Sequence, residues 1–511
     1  MNALFIQNTY SIKKARCLFL LCCVVLASCG TAKKTTYKAG AKLAGDKLRQ
    51  DYQLLRTILE KEHPSIYWYS TKQQMDSVFD SEYHKIADSM TMIGFRNVLA
   101  RTADALHCGH TSVQFPKPYD RYLSRLRLSL FPFGMRLWGD TMVSTYNLYR
   151  KDTLLKRGTV IKSINGLTTG QLRNTLFNTI TTDGYAYNFK YIRLSGNFPY
   201  NHFLVFDTSK QYQVVYSDSL GQEQQLTVSL YRPPPPDTGR RVTPAAPPSA
   251  ISRREIKRLK REAIRRLRID TAASVAYFDL NSFSGGRQRK FFRKTFRTLN
   301  RMNIQYLVMD VRNNGGGLIG NSICLSKYIS DKKFKIADTV ASVVKLSAFN
   351  KYIRNRFWYG LSMIPVTRKR SDGKYHFGWW ERHWYKPRNR NHYNGQVYCI
   401  TGGYSFSATT LFLNAVRSQK NVTLVGEETG GGQYGNSAVF LPEIKLPYSK
   451  FRVRLPVFRL VTNKDLPKNG RGIMPDVEVP PSLDAIRKLR DNKLDTVRDL
   501  IKKQKTLGAT N

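Results

Sequence analysis

The sequence predicts an α/β protein: an α/β core, a helical region ahead of it, and a β-rich domain between the two. Three observations carry this. Residues 272–340 alternate strand and helix: Ala273 to Leu280 reads as a strand, Arg289 to Met302 as an amphipathic basic helix, and Tyr306 to Val311 as a buried strand carrying Asp310. Gly395 to Thr410, GQVYCITGGYSFSATT, gives a second buried strand (Val397 to Ile400), a glycine turn, and an apolar helix opening at Ser407. Residues 128–231 instead hold short alternating runs, among them Met142 to Tyr146 and Tyr212 to Tyr216.

The chain has 511 residues, 41% hydrophobic and 12% aromatic, enough to bury several cores. Its start reads as a leader. Lys13, Lys14 and Arg16 precede an apolar run, Cys17 to Leu26, too short to span a bilayer. Leu26-Ala27-Ser28-Cys29 then matches a lipobox, so cleavage before Cys29 and acylation of its thiol are expected: residues 1–28 are a lipoprotein signal peptide and 29–45 a polar tether.

Residues 46–127 form an N-terminal helical region, with apolar residues at helical spacing (Tyr52, Leu55, Ile58, Leu59, then Phe95, Val98, Leu99) and a break at Pro64. In residues 128–231, GTVIKSING (Gly158 to Gly166) reads as a strand entering an Asn-Gly turn, with a helix from Thr169. Residues 232–270 are a proline-rich and basic linker with a helix near Arg253 to Arg268, either solvated or resting on an anionic membrane surface. Residues 271–490 are the core and 491–511 a basic C-terminal tail.

The formal charge is +47, which in an intracellular protein would point to nucleic acid. An export leader argues against that partner and for anionic lipid or polysaccharide head groups. Cys108, Cys324 and Cys399 remain beyond the leader and Cys29; they are widely spaced and odd in number, which gives neither a disulfide framework nor a zinc site. No metal and no cofactor are expected.

Ser407 sits where free backbone amides and the helix dipole favour negative charge. It reads either as a plain N-cap or as a nucleophile whose oxyanion those amides hold. The run Asn313-Asn314-Gly315-Gly316-Gly317 follows a core strand, and no Gly-Lys-Ser/Thr or GxGxxG pattern makes it a phosphate loop. Glycine there lets a main-chain amide approach a reacting carbonyl.

YLVMDVRNNGGG, GYSFSATTLFLNAV, LVGEETGGGQYGN and GRGIMPDVEV, in this order, resemble the serine peptidases that include the C-terminal processing proteases and the tricorn core protease. The resemblance covers nearly all of residues 46–490. It implies a ClpP/crotonase-like core, a PDZ-like domain at 128–231, and hydrolysis of peptide bonds in proteins or peptides. It also implies Ser407 as nucleophile, with the Ala408 amide and a glycine of the run, Gly316, as oxyanion donors.

The processing-protease branch uses a lysine where this chain has Gly432; the tricorn branch uses a histidine, matched by His110 in CGHTSV. His110 is therefore the expected base. The tricorn pattern places a serine before the histidine, where this chain has Gly109, and a glutamate near the final motif, where it has Asn469. Asn469 is the expected orienting residue, with Asp104, Glu428 and Asp476 as substitutes; Asp310 and Arg312 are expected to fix the glycine loop. The expectation is an exported, lipid-anchored serine peptidase, on the outer membrane facing the periplasm. The alternative is a catalytically weak scaffold that binds peptides through the PDZ-like domain.

Overall fold

A computed structural model describes residues 40–149, 154–206, 208–234, 251–354 and 356–509, and Lys42–Asn511 forms one compact unit. The leader, Cys29 and residues 235–250 of the proline-rich segment lie outside the described residues.

The helical region is built on the expected periodicity. Helix α1 (Gly45–Glu62) buries Leu48, Tyr52, Leu55, Ile58 and Leu59 along one face. It ends where the His63 amide bonds the Leu59 carbonyl, and Pro64 cannot continue it. Helix α2 (Lys72–His84) starts with a reciprocal cap between Thr71 and Gln74. Helix α3 (Met92–Asp104) is capped by the Thr91 hydroxyl. The buried Tyr52 hydroxyl ties the three together through the Phe79 carbonyl and Thr102. The loop that follows α3 carries His110. Ser112–Gln114 then pairs with Arg452–Arg454, which fastens that loop to the C-terminal half.

The β-rich domain has strands β1 (Phe133–Trp138), β2 (Thr141–Asn147), β3 (Val160–Ile164), β4 (Gln211–Ser217) and β5 (Glu223–Ser229), antiparallel and in that spatial order. The predicted turn is present: Asn165 and Gly166 have φ of 51° and 76°, the pair of left-handed residues a tight hairpin needs.

The core sheet runs β6 (Arg265–Asp270), β7 (Val275–Leu280), β8 (Tyr306–Asp310), β9 (Gln396–Thr401), β10 (Val422–Gly426) and β11 (Val477–Glu478). Only β6 is antiparallel to its neighbour among these strands. Strand β6 comes from the stretch assigned to the linker; its alternating Leu267 and Ile269 pack on the core, so the sheet begins before residue 271.

Alternate strand residues divide between two layers, as period two requires. Phe278, Leu307, Met309, Val397 and Cys399 face a helical layer made by α5 (Gln288–Arg301), α6 (Ile319–Ile329) and α7 (Ala408–Val416); helix α4 (Arg253–Glu262) leads into β6 with no buried residue. Val275, Val308, Tyr398 and Ile400 face helix α8 (Asn492–Ala509). The segment read as a basic tail is therefore the cover of the second sheet face, with Val497 and Ile501 buried. Loops at the carboxyl ends of parallel strands gather ligands in such sheets. Here those ends, after β8 and β9, carry the glycine run and Ser407.

Candidate active site

Strand β9 hands the chain to Gly402 and Gly403, and Ser405 folds the loop back. Its hydroxyl donates to the Val311 carbonyl at 2.9 Å, and it is wholly buried. Ser405 is thus a fixed part of the loop. Ser407 differs: its φ is 56° and ψ −121°, an uncommon backbone conformation for a residue with a Cβ. Its carbonyl begins α7 by accepting the Thr410 and Leu411 amides, but its hydroxyl makes no capping bond. The plain N-cap reading therefore does not apply. The hydroxyl stands half-exposed at a strained turn, and Ala408 is the first helical residue, whose amide has no intrahelical acceptor.

The glycine run packs directly onto this turn. The Asn314 carbonyl accepts the Phe406 amide and the Thr409 hydroxyl. Gly316 has φ of 95°, and a Cβ there would lie 2.8 Å from Ser407 Cβ and 3.0 Å from the Ala408 amide nitrogen. Glycine is needed on both counts. The Gly316 amide, expected to be an oxyanion donor, is held by the Asn314 side chain at 3.0 Å. Asn314 Nδ2 is buried with no acceptor, a donor that motif reading did not single out. Arg312 pairs with Asp310 and Asp491, which fixes the base of the loop.

His110 arrives from the other side. Its ring is buried and lies 4.8 Å from the ring of Phe406, the residue before Ser407. Neither ring nitrogen has a hydrogen-bond partner. Nδ1 lies 3.7 Å from Asp183 Oδ1, which accepts the Gly109 amide at 2.9 Å; Asp183 Oδ2 is buried and unpartnered. The Asp183 turn is stitched to the histidine loop through the Gly184 amide on the His107 carbonyl and the His107 Nδ1–H on the Gly184 carbonyl. Gly109, where the tricorn pattern has serine, is also explained. A Cβ there would meet the Phe406 ring at 2.6 Å and the Asp183 amide nitrogen at 3.1 Å.

The expected orienting residues are engaged elsewhere. Asn469 is exposed, and its side-chain oxygen accepts the Arg471 amide. Glu428 takes both arms of the Arg471 guanidinium and the Gly472 amide. Asp104 pairs with Lys190, and burial still lifts its carboxyl to about 6. Asp476 accepts the Leu424 amide. The carboxylate beside His110 is Asp183, which lies in the β-rich domain and outside every motif, so no local signal marked it.

The lysine position of the other branch holds Gly432, whose virtual Cβ points 3.7 Å from Asp183 Cβ, while that of Gly431 lies 3.1 Å from the Ser407 amide nitrogen. Gly431 and Gly432 therefore wall the same site. Cys108 is wholly packed, and burial pushes its thiol up to about 12, which removes it as a nucleophile at neutral pH.

Beneath the histidine loop, the Ser65 amide donates to His63 Nδ1, which leaves Nε2–H to donate to the Thr111 hydroxyl at 3.0 Å. This brace fixes the residue that follows His110. Among the described residues, no cluster of His, Cys, Asp and Glu could hold a metal ion.

A serine at a strained strand-to-helix turn, a histidine packed against that turn and a carboxylate behind the histidine are the elements that a serine-type peptidase uses. Residues 274–479 match the model of peptidase family S41. The solved structure of mature CPAF complexed with lactacystin is similar over 91% of this chain and 99% of that one, at 11% identity and a TM-score of 0.61. Mature CPAF alone gives 87%, 94%, 12% and 0.59 for the same measures. The tricorn protease matches 90% of this chain and 37% of its own, at 15% identity and a TM-score of 0.39. No curated protein matches the chain.

Proposed function

We propose that this chain is a tricorn-like serine endopeptidase of the cell envelope. Ser407 is the nucleophile, His110 the base that takes its proton and returns it to the leaving amine, and Asp183 the group that positions His110. The Ala408 amide holds the oxyanion together with Gly316 once that amide leaves Asn314. The observation that carries the reading is the packing of the His110 ring on Phe406, with Asp183 directly behind it.

The 3.7 Å separation of His110 and Asp183 is longer than a hydrogen bond, and such contacts shorten when substrate closes a site. The lipobox supports anchoring through Cys29, on the outer membrane facing the periplasm. Cys29→Ser is expected to release the protein from membranes or block its processing.

The second reading is a peptide-binding scaffold, favoured by the engaged Gly316 amide. Turnover of an unstructured protein separates the two. The peptidase reading expects turnover in wild type and its loss in Ser407→Ala. Peptide binding that is equal in wild type and Ser407→Ala, with turnover in neither, would leave only the scaffold.

A further inference from the structure

Helix α5 carries Arg289, Lys290, Arg293, Lys294, Arg297 and Arg301, all exposed, and no Asp or Glu. Its other face buries Phe292, Phe296 and Leu299 in the core, so the cationic face is held rigidly outward. Between α5 and α6 lies a groove of about 440 Å³, where Arg289, Lys290 and Arg293 meet Lys327 and Arg388 over the rings of Tyr328 and Tyr385. No carboxylate lines it. The Arg388 guanidinium sits 4.7 Å above the Tyr328 ring, which steadies it without neutralising it.

Several cations elsewhere are paired. Arg258 of α4 pairs with Glu255 and Glu262, Arg266 and Arg268 of β6 with Asp279, and Arg490 and Arg498 of the C-terminal segment with Asp495. The α5 cations and those of the groove join no ion pair among the described residues. A concentration of unpaired like charge costs self-repulsion, which an anionic partner removes.

One neighbouring feature decides what kind of anion. The end of α4 is tied to the loop before α5: the Asn281 side-chain amide donates to the Ala263 carbonyl just past α4, and Arg265 of β6 stacks on Phe291 of α5. On α4, Ile256 and Leu259 are 41% and 46% exposed amid basic residues, and α4 buries nothing. A soluble phosphate or a nucleic-acid backbone has no use for two exposed aliphatic side chains, whereas the head-group boundary of a bilayer takes both charge and apolar surface.

We propose that the α4–α5 face and its groove dock on an anionic phospholipid surface, with the α5 cations on lipid phosphates and Ile256 and Leu259 entering the head-group boundary. This contact is separate from the peptidase site and from any acyl anchor. It would hold the folded unit in one orientation on the membrane.

The test uses the compact unit starting at Lys42, so that neither leader nor Cys29 contributes. Vesicles of equal parts phosphatidylglycerol and phosphatidylcholine are compared with phosphatidylcholine alone by co-sedimentation. Binding to the anionic vesicles only is expected, weakening with salt. Arg289→Gln/Arg293→Gln/Arg297→Gln, all solvent-facing, should lose about a hundredfold in partition, since each surface cation contributes about a factor of five. Ile256→Ser/Leu259→Ser should weaken vesicle binding while leaving retention on heparin unchanged.

A control removing equal charge elsewhere, Lys369→Gln/Lys420→Gln/Lys464→Gln, should bind vesicles nearly as wild type. If the control loses as much as the α5 triple variant, net charge and not this face is responsible, and the proposal fails. It also fails if duplex DNA or inorganic phosphate competes equally well in the absence of any effect of Ile256 and Leu259.

Discussion

Asp183 Oδ1 accepts the amide of Gly109 and lies 3.7 Å from His110 Nδ1, so one carboxylate fixes the backbone of the histidine loop and stands beside its ring. The pairing spans two domains. It places the carboxylate beside His110 in the β-rich domain rather than near the final motif of the core.

Asp183→Asn should keep the Gly109 bond through its amide oxygen and lose the charge. We expect kcat to fall by about two to four orders of magnitude with KM little changed. Thermal stability should move by less than about 1 kcal/mol, since the backbone bond survives. Asn469→Ala, by contrast, should leave kcat within about twofold. The steady-state comparison of the two variants decides which residue positions the base.

Gly109→Ser restores the residue of the tricorn pattern and should still be damaging. Its Cβ would press the Phe406 ring at 2.6 Å, so the ring beneath His110 must shift. A loss of about 1–3 kcal/mol in unfolding free energy and a large drop in turnover are expected. Denaturant unfolding together with turnover measures both.

Gly316→Ala tests the proposed oxyanion loop. Positive φ and a Cβ only 2.8 Å from that of Ser407 force the loop away from the nucleophile. Stability should fall by about 1 kcal/mol or more, while turnover falls at least about a hundredfold.

His63 gives a pH dependence of stability. Burial holds its imidazole down at about 3 in the fold, against about 6.5 in the unfolded chain. The unfolded state therefore binds a proton first. Its contribution to stability is complete above about pH 6.5 and is lost as pH falls from there towards about 3. Asp104 works in the opposite sense, because its carboxyl is raised to about 6. The check is the difference between wild type and His63→Gln in denaturant melts across that window. The variant should be less stable at neutral pH and should show a shallower loss on acidification.

The layered core was legible because its strands and helices bury residues at regular periods. Val397 to Ile400 and the helix after Ser407 announce themselves by continuous apolar runs, and Gly316 by its place in a glycine run straight after a core strand. Strand β6 was missed because Arg265, Arg266 and Arg268 alternate with apolar residues at an exposed sheet edge, which reads as basic linker. Helix α8 was missed for a related reason: Val497 and Ile501 are too few among lysines to mark a buried face. Asp183 was beyond reach, since it becomes a neighbour of His110 only through contact between loops 74 residues apart.

The central claim is that the Ser407 hydroxyl is an activated nucleophile. Treatment of the folded protein with a fluorophosphonate probe, followed by peptide mass mapping, tests it most directly. The account predicts one adduct on the peptide holding Ser407, absent in Ser407→Ala and strongly slowed in His110→Ala and Asp183→Asn. An unlabelled wild type, or an adduct on another residue that survives Ser407→Ala, would contradict it.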